Sequence, residues 1–264
     1  MKHGKVEIYI NEMLKVKGAM IFGLLDPMDY KDEDRLVKTA KAIVDGGIDV
    51  VMLGGSTGVQ GTLLDSTAKK VKEVIDVPLV LFPGNMATVT KHADAIYFMS
   101  MLNARNAYWI TQAQMLAAPI VRAARVEPLP VGYIMVSPGG TAGWVGDANV
   151  VPRENPKIAA ALALAGEYMG NRIIITDTGS NPGAYGEGPI PKDMIRMVRS
   201  VITVPYVVSG GIKNTEQLKD AFAYGGDCVH IGTAFEESPE KAFRAAKLFS
   251  SVAKEEGLKK VKKA

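Results

Sequence analysis

The chain has 264 residues, of which 47% are hydrophobic and 22% are charged, as in ordinary globular proteins. This length allows a large core, so we expect a single domain spanning residues 1–264. The net charge of +3 is too small to indicate a nucleic-acid partner, and the lone cysteine, Cys228, excludes a disulfide framework.

No apolar run approaches the roughly 18–20 residues needed to span a bilayer, and the N-terminus does not resemble a signal peptide. We therefore expect a cytoplasmic protein. The lysine-rich run at residues 259–263 is expected to be a frayed, solvated tail, with transient contact to a membrane surface as the alternative.

Short apolar segments alternate with segments of helical periodicity along the chain. The expected strands cover residues 18–25, 49–53, 78–82, 95–99, 131–136, 173–176, 206–208 and 228–231. The expected helices cover residues 6–15, 32–44, a stretch through 69–75, 106–124, 155–168, 191–200, a stretch from 214 or 215 to about 224, and a stretch from 238 onward.

The connection between the third and fourth strands is too short for a full helix, and residues 137–147 are expected to form a long Gly-rich loop. This order predicts an α/β fold, a parallel (β/α)8 TIM barrel with one helix missing or shortened after strand three. A doubly wound sheet is the lesser alternative.

Two glycine turns follow the last two strands. Gly210 and Gly211 end strand seven abruptly, and Gly232 and Thr233 follow strand eight. A strand, a glycine turn and a helix start aim several backbone N–H groups at one place, which is suited to a phosphate. Two such turns in succession match the phosphate site of a (β/α)8 barrel.

The loops that follow strands should carry the chemistry in such a barrel. They contain no histidine: His3 lies near the N-terminus, His92 precedes strand four, and His230 lies within strand eight, where a core or interface role is expected. Nucleophilic schemes that need histidine therefore have little support. Asp26 with a neighbouring hydroxyl is a candidate Mg²⁺ site. The alternative, of equal weight, is that Asp26 is only a turn residue before Pro27.

Longer segments point to a family. They are LLDP at 24–27, GGSTGV at 54–59, LFPGN at 81–85, YFMSMLNARN at 97–106, GYIMVSPGGTAGWVGDA at 132–148, VVSGGI at 207–212 and HIGTAFE at 230–236. In this order the chain closely resembles the geranylgeranylglyceryl phosphate synthases and the related heptaprenylglyceryl phosphate synthases, nearly end to end. The segment at 132–148 is highly specific, whereas SGG and IGT alone are shared by many phosphate-binding barrels.

The resemblance implies a Mg²⁺-dependent prenyltransferase. Such an enzyme joins the 3-hydroxyl of sn-glycerol 1-phosphate to a long allylic diphosphate, here geranylgeranyl diphosphate, and releases diphosphate. This is the first ether-bond step of archaeal-type membrane lipid synthesis. The family's metal ligands fall on Asp26 and Ser56. Its glycerol-phosphate residues fall on Tyr168, Ile175, Thr176, Asp177, Thr178, Gly179, Ser180, Asn181, Gly210, Gly211, Gly232 and Thr233.

One departure from the family concerns strand six. The family usually reads YLEAGSGA, and its Glu holds the glycerol and acts as base, whereas this chain reads ITDTGSNPGA at 175–184. The Glu aligns with Asp177, which is one methylene shorter, and the Gly after Ser aligns with Asn181. The resemblance thus implies Asp26 and Asp177 as the catalytic residues.

The prenyl chain needs an apolar trough, for which the candidates are Tyr97, Phe98, Met101, Tyr108 and Trp109, with Trp144 as a lid. Core or dimer contacts are the more common role for such residues. Met-rich exposed helices indicate a homo-oligomer. Two other functions stay open on the residues alone: a phosphosugar isomerase or lyase on the same fold, and a non-catalytic phosphate-binding barrel.

Overall fold

The structure is a computed structural model that describes residues 4–262. Eight parallel strands form a closed barrel in which each strand neighbours the next along the chain. They are β1 (Met20–Leu25), β2 (Val50–Gly54), β3 (Leu79–Phe82), β4 (Ala95–Met101), β5 (Glu127–Met135), β6 (Ile173–Asp177), β7 (Tyr206–Ser209) and β8 (Cys228–Ile231). The predicted (β/α)8 barrel is confirmed.

The helices of the described residues alternate with these strands. They are α1 (Lys5–Lys17), α2 (Glu33–Asp45), α3 (Gly61–Val74), α4 (Ala113–Ala124), α5 (Gly140–Val145), α6 (Pro156–Tyr168), α7 (Lys192–Arg199), α8 (Thr215–Ala223) and α9 (Pro239–Val261). Their starts follow the sequence signals. Asp32, Asn214 and Ser238 each accept a backbone N–H of the first turn, and Pro156 and Pro239 occupy first helical positions.

Residues 83–94, between β3 and β4, form only turns, as the short connection predicts. The expectation of a long loop at residues 137–147 is wrong, because α5 occupies most of it. Its glycines disfavour a helix, yet α5 forms with Gly143 buried beside Met135 and Val150. The expected helix at 106–124 begins instead as a π-helical turn, Tyr108–Gln112, and continues as α4.

The C-terminal lysine-rich run also differs from the frayed tail that the sequence predicts. α9 continues to Val261, and Lys259 pairs with Glu255 and Glu256 within the helix. Lys263 lies outside the described residues. No helix within residues 4–262 combines the length and the apolar character needed to cross a membrane.

The chain divides into two compact units. The first comprises Met1–Tyr97, Met115–Pro128 and Ile231–Ala264, and the second comprises Phe98–Gln114 and Leu129–His230. In the second unit, a contact between β6 and α6 shows which side chains of β6 face the helices. Ile174 lies close to Gly166 of α6, so Ile174 and Thr176 face the helix layer. Alternation along the strand then turns Ile175 and Asp177 to the opposite, inner face.

Candidate active site

In the second unit, Asp177 ends β6 with its carboxylate buried on the inner face of the sheet. Its Oδ2 accepts the hydroxyl groups of Tyr133 on β5 and Ser209 on β7, each at 2.9 Å. Its Oδ1 accepts the backbone N–H of Gly179 at 2.6 Å. Burial raises the pKa of Asp177 above its ordinary value, and these three hydrogen bonds oppose that rise. The result is a fixed carboxylate of increased basicity.

The network extends to His230 on β8, whose Nδ1 lies 3.2 Å from the Ser209 hydroxyl. His230 is buried, as the sequence predicts, and burial lowers its pKa to about 3. The ring is therefore neutral at physiological pH. We call Tyr133, Asp177, Ser209 and His230 the Asp177 cluster.

Two predicted substrate-binding residues of β6 do not carry polar groups to the inner face. Thr176 faces the helix layer, where its Oγ1 lies 2.7 Å from the hydroxyl of Tyr206 and both side chains are buried. Ile175 faces inward but has only apolar side-chain atoms. Alternation along the strand turns the Thr176 side chain outward, so a substrate contact at Thr176 would have to involve its backbone.

The glycine turn after β7 packs against the loop after β6. A β-carbon on Gly210 would lie 2.3 Å from Thr178 Oγ1 and 2.8 Å from Asp177 Oδ1, and the φ of Gly210 is +87°. Thr178 is buried, and its hydroxyl has no hydrogen-bond partner within the described part of the chain. Gly211, at φ +76°, would place a β-carbon 2.6 Å from Pro182. Both glycines are thus required by the packing of the loops, besides any contact with phosphate.

Ser180 and Asn181 are exposed at the start of the loop after β6. Asn181 has a φ of +48°, a left-handed conformation that asparagine tolerates better than most residues. Its side-chain oxygen accepts Lys213 Nζ at 2.8 Å. The conformation explains how Asn can stand where the resembled family has Gly.

In the first unit, Asp26 follows β1, and the turn role expected for it is observed. Its Oδ1 accepts the N–H of Met28 at 2.9 Å, which is the behaviour of a turn residue. Its carboxylate also lies against Gly55, where a β-carbon would come 2.1 Å from Oδ2. Gly55 precedes Ser56, whose backbone oxygen is 3.0 Å from the β-carbon position of Gly84 in the loop after β3. The loop after β2 therefore lies between Asp26 of the loop after β1 and Gly84 of the loop after β3.

The charges around Asp26 favour a cation. Burial, with a contribution from Asp29, raises the pKa of Asp26 to about 6. Burial and the charges of Asp29 and Asp26 also raise the pKa of Glu236, in the turn after β8. No group of three or more His, Cys, Asp or Glu side chains within residues 4–262 is arranged to hold a metal ion. Asp26 and Ser56 carry hard oxygen donors of the kind that Mg²⁺ prefers, so their chemistry is compatible with the predicted ion.

Gly232 and Thr233 begin the turn after β8 and are partly or fully exposed. A β-carbon on Gly232 would meet its nearest neighbour, the backbone oxygen of Leu24, at 3.4 Å. This is an ordinary contact, so Gly232, unlike Gly210 and Gly211, is not required by packing within the protein.

Tyr168 lies apart from Asp177. It is the last residue of α6 and leads into the amino end of β6, the opposite end from Asp177. Its side chain is 81% exposed. This position favours a role as a helix-end aromatic residue over the predicted substrate contact.

The apolar candidates fall into two groups. Tyr97 and Met101 are buried core residues, and Tyr97 packs edge-on against Phe82 with ring centroids 5.3 Å apart. Phe98, Tyr108 and Trp109 are half-buried in the second unit, the first in the middle of β4 and the other two in the π-helical turn. Such turns are frequent at functional sites. Trp144 is 85% exposed on α5.

Comparison with known proteins decides the family. A model of the PcrB family matches residues 12–249. The chain belongs to the PcrB family. It is similar to the geranylgeranylglyceryl phosphate synthase of Pyrococcus abyssi, with 44% identity over 238 residues that cover 90% of this chain and 92% of that protein. The enzyme of the same name from Methanosarcina mazei is 40% identical over 249 residues, which cover 94% and 99% of the two chains.

A solved structure agrees with these relatives. The (S)-3-O-geranylgeranylglyceryl phosphate synthase of Thermoplasma acidophilum, in complex with its substrate sn-glycerol-1-phosphate, has a TM-score of 0.88 and 28% identity to this PcrB-family chain. The match covers 96% of this chain and 100% of that one. The resemblance predicted from the sequence is confirmed.

Sequence reasoning missed several residues at the sites of this PcrB-family chain. Tyr133 lies inside β5, two residues before the strand ends, and Ser209 is the last residue of β7. Both were overlooked because only the residues after the strands were considered. Side chains of a strand face inward at every second residue, and this alternation could have identified Tyr133. Glu236 is the last residue of the family segment HIGTAFE and could have been identified from that segment.

Proposed function

We propose that this protein transfers a geranylgeranyl group from geranylgeranyl diphosphate to the 3-hydroxyl of sn-glycerol 1-phosphate. The observation that carries the proposal is 44% identity, over 90% of the chain, to a geranylgeranylglyceryl phosphate synthase. In the reaction the C1–O bond to diphosphate breaks and diphosphate leaves with the electron pair. The glycerol oxygen bonds to C1, and its proton passes to a base.

The leaving group is assigned to the residues around Asp26. Asp26 and Ser56 would hold Mg²⁺, which supplies positive charge to the departing diphosphate. An allylic diphosphate ionises readily, so the residues here mainly bind and orient it. The pKa values of Asp26 and Glu236 are raised mainly by burial and further by neighbouring carboxylates, and this grouping of acidic side chains supports the binding of a divalent cation.

The acceptor is assigned to the residues around Asp177. Its buried, fixed carboxylate is suited to orient the 3-hydroxyl and to take its proton. Gly179, Ser180 and Asn181 follow it directly and are proposed to line the glycerol. The turns at Gly210-Gly211 and Gly232-Thr233 are proposed to bind the phosphate through backbone N–H groups.

The prenyl chain is proposed to lie against Phe98, Tyr108 and Trp109. These side chains are half-buried, and Tyr108 and Trp109 pack edge to face with ring centroids 5.0 Å apart. Half-buried aromatic surface in a turn after a strand is suited to an apolar ligand. Trp144, highly exposed, is proposed as a contact to the chain when bound.

A phosphosugar isomerase or lyase is less well supported. That chemistry needs an acid and base pair, and His230, the histidine near Asp177, is buried with a pKa of about 3. A non-catalytic barrel is also disfavoured, since the hydroxyl groups that hold Asp177 maintain a buried carboxylate that binding alone does not require.

A homo-oligomer is proposed from the surface of α4. Met115, Leu116 and Ile120 are exposed there at 63%, 43% and 43%. An exposed apolar helix face of this kind commonly packs against another copy. Sedimentation velocity should show a self-associated wild-type protein that Leu116→Glu shifts to a smaller species. A wild-type monomer would contradict this.

The function is tested by incubation with sn-glycerol 1-phosphate, radiolabelled geranylgeranyl diphosphate and Mg²⁺. We expect label in an ether product. The 3-phosphate enantiomer should be a poor acceptor, because β6 with its loop and the two phosphate turns are proposed to hold the glycerol at three points. Equal rates with both enantiomers would contradict this assignment. Phosphosugar isomerisation without added metal would favour the alternative function.

A further inference from the structure

The two oxygens of the Asp177 carboxylate are held differently. Oδ2 accepts two side-chain hydroxyl groups, from Tyr133 and Ser209, whereas Oδ1 accepts one backbone N–H, from Gly179. A carboxylate offers about four acceptor positions. Both acceptor positions of Oδ2 are therefore occupied by hydroxyl groups of the protein, whereas one acceptor position of Oδ1 can take another donor.

The hydrogen-bond directions fix the tautomer of His230. Ser209 has one hydroxyl proton, which it donates to Asp177. Its oxygen must then accept from His230 Nδ1, 3.2 Å away, so His230 carries its proton on Nδ1. With a pKa of about 3, His230 remains neutral. It orients the Ser209 hydroxyl and does not take up the proton that the reaction releases.

We infer that Tyr133, Ser209 and His230 are positioning residues that hold Asp177 by Oδ2 and present Oδ1 to the acceptor hydroxyl. The inference rests on the proposed function, in which Asp177 takes that proton. Strand register supports it, because Asp177 pairs with Ser209 on β7 and with Met135, two residues beyond Tyr133, on β5. Two adjoining strands thus fix a short side chain from both sides.

The backbone of Gly210 helps to fix the carboxylate at the Oδ1 side. A β-carbon on Gly210 would lie 2.8 Å from Oδ1 and 2.3 Å from Thr178 Oγ1, closer than any real β-carbon contact. Residue 210 must therefore be glycine for Asp177 to keep this position. Oδ2 is held by Tyr133 and Ser209.

The groups that face Asp177 set the sign of the expected pH effect. They are Tyr133 from β5, Ser209 from β7 with His230 of β8 behind it, and the Gly179 N–H from the following loop. The hydroxyl groups of Tyr133 and Ser209 stabilise the charged carboxylate and lower its pKa. Removing either one should raise the pKa of Asp177.

The chain supplies a matched control on the same two strands. Tyr206 of β7 and Thr176 of β6 form a buried hydrogen bond of 2.7 Å on the helix-facing side. Tyr206→Phe removes a buried hydroxyl contact similar to that of Tyr133→Phe, but on the face away from Asp177. It should affect stability without moving the pKa of Asp177.

The first test needs no substrate. NMR of protein with ¹⁵N-histidine and ¹³C-aspartate should show His230 with its proton on Nδ1. The titration midpoint of Asp177 should rise by about one pH unit in Ser209→Ala and in Tyr133→Phe, and stay unchanged in Tyr206→Phe. A proton on Nε2, or midpoints that do not move in either variant, would overturn the inference.

The second test is kinetic. Ser209→Ala and Tyr133→Phe should lower kcat about tenfold and move the acid limb of the pH–rate profile upward, with KM for geranylgeranyl diphosphate unchanged. His230→Asn, which keeps a donor near Nδ1, should lose less activity than His230→Leu. An acid limb that stays in place in both hydroxyl variants would overturn the inference. A wild-type protein that forms no ether product would instead overturn the proposed function, while the NMR result still decides how Asp177 is held.

Discussion

The backbone of Gly55 packs directly on the carboxylate of Asp26. A β-carbon on Gly55 would lie 2.1 Å from Oδ2 and 2.5 Å from Oδ1 of Asp26. The loop after β2 can therefore come this close only because residue 55 has no side chain. Ser56 follows immediately, so both proposed Mg²⁺ ligands depend on this contact.

Gly55→Ala should weaken Mg²⁺ binding and lower turnover at limiting Mg²⁺ by at least about tenfold, because the new methyl group must displace the Asp26 carboxylate. A Mg²⁺ titration of the initial rate measures this effect. Gly188→Ala is the control, since a β-carbon there meets nothing within 4 Å. Equal Mg²⁺ requirements in the two variants would show that the Asp26–Gly55 contact has no part in metal binding.

Asp26→Ala should reduce turnover by at least about 10³-fold, because the complex loses one of few protein ligands to the ion that stabilises the leaving group. Binding of sn-glycerol 1-phosphate should remain nearly normal, and isothermal calorimetry measures it directly. If the variant no longer binds glycerol phosphate, Asp26 belongs to the acceptor site and the roles are assigned the wrong way round.

Gly232→Ala gives the sharpest test of the phosphate turns. The added methyl group has ordinary contacts inside the protein, with Leu24 at 3.4 Å, so thermal stability should change little. If the turn binds phosphate, the KM for sn-glycerol 1-phosphate should rise by about tenfold or more. Gly211 is less informative, because its φ of +76° and the nearby Pro182 make any side chain destabilising by itself. An unchanged KM in Gly232→Ala would remove the turn after β8 from the site.

His230 should make stability depend on pH. Its pKa is about 3 in the folded protein and near 6.5 when unfolded, so the unfolded chain binds a proton that the folded chain cannot. Stability from this source is complete above pH 6.5 and is lost as the pH falls toward 3, by about 2 kcal/mol at pH 5. Urea unfolding at pH 7.5 and 5.0 should show a smaller loss for His230→Asn than for the wild type. The same loss in both proteins would contradict a neutral buried histidine.

The sequence predicts the strand order and the placement of Asp26 well, since glycine turns and helix caps mark the end of each strand. It could not predict the Asp177 cluster, because that depends on which residues of β5, β7 and β8 stand beside Asp177. Register between strands is set by the closure of the sheet and is not visible in any one segment. The position of Asp177 at the end of a strand is visible in the sequence, but its role as a base was predicted only from the resemblance.

The structure separates two predicted substrate-binding residues from the Asp177 carboxylate. Thr176 lies beside Asp177 in sequence but faces the other side of the sheet, and Tyr168 lies only nine residues before Asp177 yet at the far end of β6. Proximity in sequence does not indicate proximity in space when a strand separates two residues. The helix α5 was missed because its glycines are poor helix formers, and packing outweighed that propensity.

The central claim is that Asp177 accepts the proton of the glycerol hydroxyl during prenyl transfer. Single-turnover transfer of labelled geranylgeranyl to saturating sn-glycerol 1-phosphate, in wild type and Asp177→Asn, tests it most directly. Asn keeps the shape of the side chain but loses its charge and basicity. We predict a rate about 10²–10⁴-fold lower in the variant, with Mg²⁺ dependence unchanged. A variant that transfers the prenyl group at the wild-type rate would contradict the claim.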